Sequence, residues 1–460
     1  MQTFKTPPRF TALYLSMAIL AGCAASPTSQ NYAQQAQADL NITEQAATEA
    51  EQVAPILLPE LIGSESLNAL IDQALTANPS LQQTLLTLEI TQLQRRQTGA
   101  DRLPDLDAGI SASKQEENST TASETSHTGS LTLSLNLDLW GKLSDRYKAA
   151  GKDVAQQRAI YHEAKNALAA EVMTAWLNSV ALQHAIDIES QRLQSLEKTA
   201  QFIANRYRSG LGNLEDIDTA RSAVYQSQAR MAEYNEDLAR QQRALGQLLG
   251  QSEVADLTEL NDYPSVLLPV AALPEQNLEQ RPDLQAAYFA IEANQLRSKA
   301  AYKDMLPNLS LQAALEDTAS SLSSALLKTP VWSLLGQLVA PLYRGGELRA
   351  AAKIADLEIA QSYQAFRESL LNAVVEVDDA LGSEQELAKR QAHISDALEA
   401  AKRTTTQYQS KYRAGLVDIL DLLTVQQQSY DLAAQLDNLI YQRLANRIAL
   451  GLALGLGVQA

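Results

Sequence analysis

Few residues in this sequence are placed for catalysis. Its 460 residues contain four histidines and one cysteine, the side chains that most often serve as bases, metal ligands or nucleophiles. The histidines are scattered, without the spacing of a metal site and without a partnered cysteine: His127, His162, His184 and His393. We expect His162 and His184 to lie on helix surfaces. The sequence therefore predicts that the protein is not an enzyme.

The cysteine, Cys23, is instead placed for lipid attachment. Residues 1–22 have the form of a signal peptide, because they contain two basic residues followed by an apolar run that ends shortly before Cys23. Leu-Ala-Gly-Cys at 20–23 resembles a bacterial lipobox, in which the thiol receives a diacylglyceryl group before cleavage. The resemblance implies that Cys23 becomes the acylated first residue, and Ala24 resembles an outer-membrane sorting signal. A lone cysteine ending an ordinary signal peptide is the alternative.

The composition favours long helices over a compact aromatic core. There are 5 Phe, 3 Trp, 19 Gly and 14 Pro. The formal net charge of −17 disfavours nucleic acid or an anionic lipid surface as a partner, because phosphate binding needs clustered Lys and Arg. After the signal peptide, no apolar run reaches the roughly 18 to 20 residues of a membrane-spanning helix. Any crossing of a membrane therefore requires strands.

The stretch 130–141, SLTLSLNLDLWG, has the alternation of a membrane-spanning strand. Leucines fall on one side and polar residues on the other. A half-buried strand of a soluble sheet has the same pattern. Trp140 and Tyr343 fit an interfacial aromatic belt, with ordinary packing as the alternative. We predict that residues 105–139 form a β-hairpin whose exposed tip is the polar segment 114–127.

Very long helices surround this hairpin. Residues 143–208 contain no proline and one glycine, Gly151, which predicts a helix on the order of 100 Å long. A returning helix is predicted over 214–249. Asn78-Pro79 interrupts an earlier helix, since proline lacks the amide proton. Residues 24–59 lack apolar periodicity and are predicted to be a flexible tether or loosely wrapped arm.

The same plan occurs twice along the chain. Arg281-Pro282-Asp283-Leu284 lies 203 residues after Asn78-Pro79-Ser80-Leu81, and Tyr343 lies 203 after Trp140. Two residues are inserted within the segment 344–346, and after it the offset between the two halves is 205. We therefore predict a signal peptide at 1–22, a lipidated arm at 23–59, repeat 1 at 60–260 with hairpin 105–139 and a helix pair to 249, and repeat 2 at 261–460 with hairpin 308–343 and a helix pair to 454.

Two hairpins supply four strands. In lipid, an open four-stranded sheet would leave the amides of its edges unsatisfied, so the strands must close into a barrel with other copies. Two copies supply eight strands and three supply twelve, and this argument does not choose between them. Long helices outside a globular core are stable only when they pack laterally against neighbours.

In combination, the motifs resemble the outer membrane factor family of TolC-like efflux channels. They are the lipobox, the duplicated plan, Arg-Pro-Asp-Leu at 281–284, Leu-Pro-Asn-Leu at 306–309, Pro-Leu-Tyr-Arg-Gly-Gly at 341–346 and Tyr-Arg-Ala-Gly at 412–415. The resemblance covers roughly residues 58–457. It implies a mixed α/β membrane protein, a homotrimer with a twelve-stranded outer-membrane β-barrel continued by a long α-helical barrel through the periplasm. It also implies a periplasmic adaptor and an inner-membrane pump as partners, and no cofactor beyond the lipid on Cys23.

The resemblance further implies a periplasmic gate on the helices that follow two glycine turns. Asp421 matches a ring aspartate, and Asp216 and Tyr412 match partners in a link between helix pairs. Carboxylates converging from several chains would repel unless hydrated or bound to cations, which gives a constriction sensitive to pH and divalent ions.

The sequence departs from the family pattern at two gate positions. The expected arginine is Val417 and a second aspartate is Thr424, so we expect Asp418 to take over part of the ring charge. The alternative is that Asp216, Asp418 and Asp421 are solvated helix-start acids, which the helix dipole favours.

The function predicted from the resemblance is passive conduction of small molecules, such as drugs or toxic compounds, from the periplasm or a pump to the exterior. An exit duct for polypeptide secretion is an alternative. A non-conducting periplasmic scaffold lipoprotein is a rival of another class, although a scaffold has no use for alternating strands placed identically in both halves.

Overall fold

The computed structural model describes residues 31–45, 57–116, 123–252, 263–264 and 280–458. The predicted signal peptide 1–22 and the predicted acylation site Cys23 lie outside these residues. The described chain divides into two compact units. One contains residues 31–39 together with Thr87–Ala159 and Leu284–Glu368, and the other contains the described parts of Leu40–Leu86, Ile160–Asp283 and Ser369–Ala460.

The first unit contains a four-stranded antiparallel sheet in the order β1-β2-β3-β4. Its strands are β1 Asp105–Glu116, β2 Ser123–Leu137, β3 Asn308–Ala319 and β4 Val331–Val339. Each strand pairs with the next one along the chain. Within the described residues, β1 and β4 each have a partner on one side only.

The strand register places apolar residues of all four strands on one face. Leu131 lies opposite Ala108 on β1 and Leu315 on β3, and Leu315 lies opposite Trp332 on β4. Leucines of β2 and β3 continue this face in further cross-strand pairs, Leu135 with Leu311 and Leu137 with Leu309. Such pairs stabilise a sheet when their side chains touch. The face is largely exposed, and Trp332 is 74% accessible.

The predicted polar tip 114–127 is too long. β1 continues to Glu116 and β2 already begins at Ser123, with Lys114 opposite Thr125. The polar residues of this segment do not interrupt the backbone pairing, since Thr in particular fits a solvated pleated surface.

The predicted strand 130–141 ends early, at Leu137. Asp138 leaves the strand because its carboxylate caps the next helix, accepting from the N–H groups of Leu143 at 2.9 Å and Ser144 at 2.8 Å. Trp140 therefore lies in a turn, where its Nε1 donates to the carbonyl of Pro307 at 2.7 Å. The last strand likewise ends at Val339, before Tyr343.

Eight α-helices occur among the described residues. The four long ones are α4 Lys142–Arg208 and α7 Glu347–Arg413, of 67 residues each, and α5 Leu214–Leu248 and α8 Ile419–Ala453, of 35 residues each. The shorter ones are α1 Tyr32–Gln45, α2 Glu65–Ala77, α3 Pro79–Ala100 and α6 Pro282–Lys303. The helices predicted over 143–208 and 214–249 are confirmed to within one residue. In the same described ranges, no helix is both long and apolar enough to span a bilayer.

Of the two alternatives predicted for residues 24–59, the described part fits the wrapped arm rather than the flexible tether. Tyr32–Gln45 is helical and Leu58–Leu61 forms a 3₁₀ turn. Tertiary contacts stabilise the short helix. The Tyr32 ring lies 5.1 Å from that of Tyr363, whose hydroxyl donates to Asp39 at 2.9 Å.

The second unit has a continuous apolar core. Its fully buried side chains come from the 3₁₀ turn and from α2, α4 and α5, and include Leu58, Leu67, Met173, Leu177 and Leu245. The predicted helix break at Asn78-Pro79 is part of this packing. Asn78 caps α3 by accepting from Leu81 N–H at 3.0 Å, and its Nδ2 donates to the carbonyl of Leu248 at 2.9 Å.

One glycine is required where α5 ends. Gly250 has a φ of +71°, and a Cβ there would lie 2.4 Å from the carbonyl oxygen of Ala77. We expect Gly250→Ala to lower the free energy of unfolding by at least about 2 kcal/mol, from left-handed strain and this clash. The matched control is Gly382→Ala on exposed α7, where nothing lies within 4 Å, and which should stabilise by about 0.5 to 1 kcal/mol. Thermal unfolding followed by circular dichroism measures both, and equal melting temperatures for the two variants would contradict the prediction.

Candidate gate at the helix turns

The first turn joins α4 to α5. Gly210 takes the left-handed conformation with a φ of +75°, and the N–H of Leu211 donates back to the carbonyl of Arg206 at 3.0 Å. Asn213 then caps α5, because its Oδ1 accepts from the N–H of Asp216 at 2.7 Å. The turn therefore places Asp216 in the first turn of α5.

The second turn joins α7 to α8 in the same way. Gly415 has a φ of +73°, and the N–H of Leu416 donates to the carbonyl of Lys411 at 2.9 Å. Asp418 is the N-cap of α8, and its Oδ1 accepts from the N–H of Ile419 at 2.6 Å. Asp421 Oδ2 accepts from the N–H of Asp418 at 3.4 Å, which completes a reciprocal capping box.

Tyr412 connects the two turns. It is buried in an apolar cluster drawn from both helix pairs: Ile203, Ile217, Ala220, Ile419 and Leu422. The Phe202 ring meets it edge-on at 5.9 Å, and the guanidinium of Arg206 lies 5.4 Å from its ring centre. The Tyr412 ring at the end of α7 is thus held by side chains of α4.

Electrostatics at this point involve two of the predicted aspartates. Burial raises the pKa of Tyr412 above its ordinary value, and Asp216 and Asp418 raise it further, whereas Arg206 lowers it. The structure therefore brings Tyr412, Asp216 and Asp418 into one neighbourhood. Asp421 is exposed, and its described contact is with the backbone of Asp418.

The cation at this site comes from a residue that the sequence reasoning missed. The arginine expected two residues after Gly415 is Val417, and Val417 packs against the apolar cluster. Arg206 supplies the guanidinium beside Tyr412 instead. A signal was present, since Arg206 begins the segment that corresponds to Lys411-Tyr412-Arg413 in the repeat alignment.

Comparison with known proteins places this architecture in a family. The model of a family described as "Outer membrane efflux protein" matches residues 70–251 and 273–456. The chain belongs to the outer membrane efflux protein family. It is a TolC-like outer membrane factor, located in the bacterial outer membrane and extending into the periplasm.

Individual relatives span nearly the whole chain. The cation efflux system protein CusC of Escherichia coli O6:H1 is 27% identical over 400 residues, covering 85% of this chain and 86% of that protein. The pyoverdine export outer membrane protein OpmQ of Pseudomonas putida is 25% identical over 467 residues, covering 99% and 98%. The solved structure of the outer membrane protein VceC from Vibrio cholerae superposes with a TM-score of 0.80 at 23% identity, covering 88% of this chain and all of that one, and so shares its fold. The activity of the family is efflux, which is transport rather than catalysis.

This family member also contains a buried polar cluster that the sequence reasoning missed. Glu189 and Arg192 on α4 are both more than nine-tenths buried. Ser227 on α5 donates to Glu189 at 2.5 Å, and Arg192 Nη1 lies 3.1 Å from Asp431 Oδ1 on α8. The cluster therefore ties three helices together. At the offset of 205, Ile394 and Ala397 stand where Glu189 and Arg192 would be, so the second half lacks the corresponding Glu and Arg.

His184, expected on a helix surface, is partly exposed on α4 with 19% of its side chain accessible. Its Nδ1 lies 2.8 Å from Asp437 Oδ1, and Tyr263 donates to the other carboxylate oxygen at 3.0 Å. Burial raises the pKa of Asp437, against the lowering effect of the His184 and Tyr263 hydrogen bonds. Among the residues that the structure describes, no group of three or more His, Cys, Asp or Glu side chains is arranged to hold a metal ion.

Two substitutions separate the capping hydrogen bond of Asp418 from the effect of its negative charge. Asn caps a helix about as well as Asp, whereas Ala does not. Asp418→Ala should therefore lower the opening free energy of the first turn of α8 by about 1 kcal/mol, and Asp418→Asn by only a few tenths. Hydrogen exchange of the amides of residues 419–422 measures the difference. Equal acceleration of exchange in both variants would mean that the negative charge, and not the cap, stabilises this turn.

Proposed function

We propose that this protein is the outer-membrane channel of a tripartite efflux system and passively conducts small molecules to the exterior. The observation that carries the proposal is the sheet, which within the described residues has an exposed apolar face and two edges without a strand partner. In water such a face would promote aggregation. In a bilayer it is the surface that lipid covers.

The edges argue for closure with further copies. Each chain supplies four strands, and unpaired amides in the hydrocarbon layer cost several kcal/mol each. A homotrimer closes a barrel of twelve strands, and the long helices α4 and α7 continue it as a helical barrel through the periplasm. We infer that the two halves arose as a tandem repeat, because each contains two strands followed by helices of 67 and 35 residues.

The names of the relatives support small cargo. CusC is a cation efflux system protein and OpmQ exports pyoverdine. We propose that this channel likewise serves small molecules, with a periplasmic adaptor and an inner-membrane pump as partners. Polypeptide export is the second candidate. A non-conducting scaffold is disfavoured, since it would have no need for the apolar sheet face.

Cys23 is proposed as the lipid anchor of the channel. The lipobox supports this role, and the covalent lipid is the one non-protein group that we expect. Asp216, Asp418, Asp421 and Tyr412 are proposed as gate residues. In a trimer, one aspartate at each position would make a ring of three carboxylates, and a cation bound there would relieve their repulsion.

Single-channel conductance in planar bilayers tests the duct and the gate together. We expect the purified, acylated wild-type protein to form a low-conductance pore that divalent cations block. Asp421→Asn should raise the blocking concentration on the order of tenfold, because one charge per copy is lost. Asp396→Asn on exposed α7 makes the same charge change away from the turns and should leave the block unchanged.

The outcomes separate the proposals. Conductance with a block that Asp421→Asn does not change would keep the duct and remove Asp421 from the gate. Absence of conductance from well-folded oligomers in every condition would favour the scaffold.

Lipid attachment is tested by Cys23→Ser. The wild-type protein should label metabolically with fatty acid and migrate as a cleaved species. The variant should lose the label entirely, because serine lacks the thiol that accepts the diacylglyceryl group. A variant that still labels would place the lipid on another residue.

A further inference from the structure

A basic groove lies in the unit that contains the sheet. It is lined by side chains of α3, α4 and α6: Arg95, Tyr147, Lys148, Lys152, Glu292 and Lys299. Four of these are cationic and one is acidic, in a protein whose net charge is −17. The groove therefore reverses the charge of the molecule locally, which the total composition does not reveal.

Arg95 is held in the groove in a fixed orientation. Its guanidinium lies 4.8 Å from the ring centre of Tyr147, and Arg102 lies 5.1 Å from the same ring. The Arg95 Nε is buried, and it has no hydrogen-bond partner among the described residues. Because this Nε is buried beside Gly151, an oxygen from outside would have to reach the terminal nitrogens of the guanidinium.

Neighbouring carboxylates do not supply that oxygen, because other cations hold them. Asp145 pairs with Lys303 at 2.6 Å, and Asp304 pairs with Arg146 at 2.8 Å. Within the groove, Glu292 pairs with Lys152 at 2.7 Å. In the part of the chain that the structure describes, Arg95, Lys148 and Lys299 have no carboxylate partner, and they remain for an anion from outside.

The groove lies close to the ends of the strands. Lys299 comes about 6 Å before the end of α6, Arg95 about 8 Å before the end of α3, and Lys148 about 9 Å after the start of α4, at 1.5 Å per residue. Each of these helix ends joins a strand through a short connection. The headgroup layer of a bilayer is roughly 5 to 8 Å deep on each side, and long basic side chains reach toward it. The connections at 101–104, 138–141 and 304–307 add to these distances, so the cations lie near the periplasmic edge of the headgroup layer if the strands span the hydrocarbon.

The N-terminal helix begins at the same groove. Gln295, which also lines it, donates to Asn31 at 3.2 Å. Asn31 follows Cys23 by eight residues, which span at most about 28 Å when extended. The proposed lipid anchor is therefore within reach of a membrane surface at this level.

We propose that this groove binds the phosphodiester headgroup of an anionic phospholipid in the periplasmic leaflet, with Arg95, Lys148 and Lys299 as the contacts. The proposal rests on the proposed placement of the strands in the bilayer. The terminal nitrogens of the Arg95 guanidinium would donate to phosphate oxygens, and the two lysines supply charge at the rim. Bound lipid would fix the depth at which the helices leave the membrane.

Lipid binding by the full-length protein in detergent, measured by native mass spectrometry, tests the proposal. Phosphatidylglycerol should bind more tightly than phosphatidylcholine. The double variant Lys148→Gln with Lys299→Gln should weaken phosphatidylglycerol binding on the order of tenfold, since each basic residue near a lipid surface contributes about 1 kcal/mol. Both lysines are exposed, so folding is not at risk.

The control is Lys389→Gln with Lys402→Gln, two exposed lysines of α7 away from the groove. Equal loss in this control, or equal binding of the two lipids, would overturn the proposal. Competition by inorganic phosphate at concentrations equal to the lipid would also overturn it, because the groove would then be a site for free phosphate. The lipid-binding assay does not require an open pore, so its result is independent of conductance. A conducting channel without lipid preference would contradict this inference alone. Lipid binding without conduction would contradict the proposed function alone.

Discussion

The outer edges of β1 and β4, which have no strand partner within the described residues, are the constraint on which the rest of this structure depends. The described part of the chain does not cover the apolar face of this four-stranded sheet. All nine residues of β4, for example, are exposed. Hydrogen bonds of the edge amides must come from other strands wherever water is absent. If the sheet lies in a bilayer as proposed, its edges therefore need strands from further copies, and the helices that leave the strands would pack laterally between those copies.

Specific residues determine where the long helices end. Two helices are 67 residues long. The left-handed glycines and capping side chains at their ends determine where the chain reverses. Asn213 and Asp418 perform this role at the two turns. The cluster around Glu189 and Arg192 adds polar contacts between helices, from Ser227 to Glu189 and from Arg192 to the half-exposed Asp431.

The candidate gate combines two kinds of interaction at one place. Tyr412 is held by apolar packing and by the Arg206 guanidinium, which join the two helix pairs within a single chain. Asp216 and Asp418 lie close enough to raise the pKa of Tyr412, while Asp418 and Asp421 also satisfy backbone donors. Capping and gating are compatible, because a carboxylate that accepts one backbone N–H retains its charge and further acceptor sites for a cation.

Local patterns in the sequence determined the long helices, the strand faces and the two turns. Their signals are short in range: the absence of proline over residues 143–208, alternation at period two, and glycine at positions 210 and 415. The tertiary structure decided what depends on partners distant in sequence. It made Asp138 a helix cap and so ended β2 early, and it ordered Tyr32–Gln45 through contacts with Tyr363. It also placed Arg206 on Tyr412, and gathered the basic groove from three helices whose charges the total of −17 conceals. The physical reason is that hydrogen bonds, ion pairs and burial depend on distance in space, which composition and periodicity do not contain.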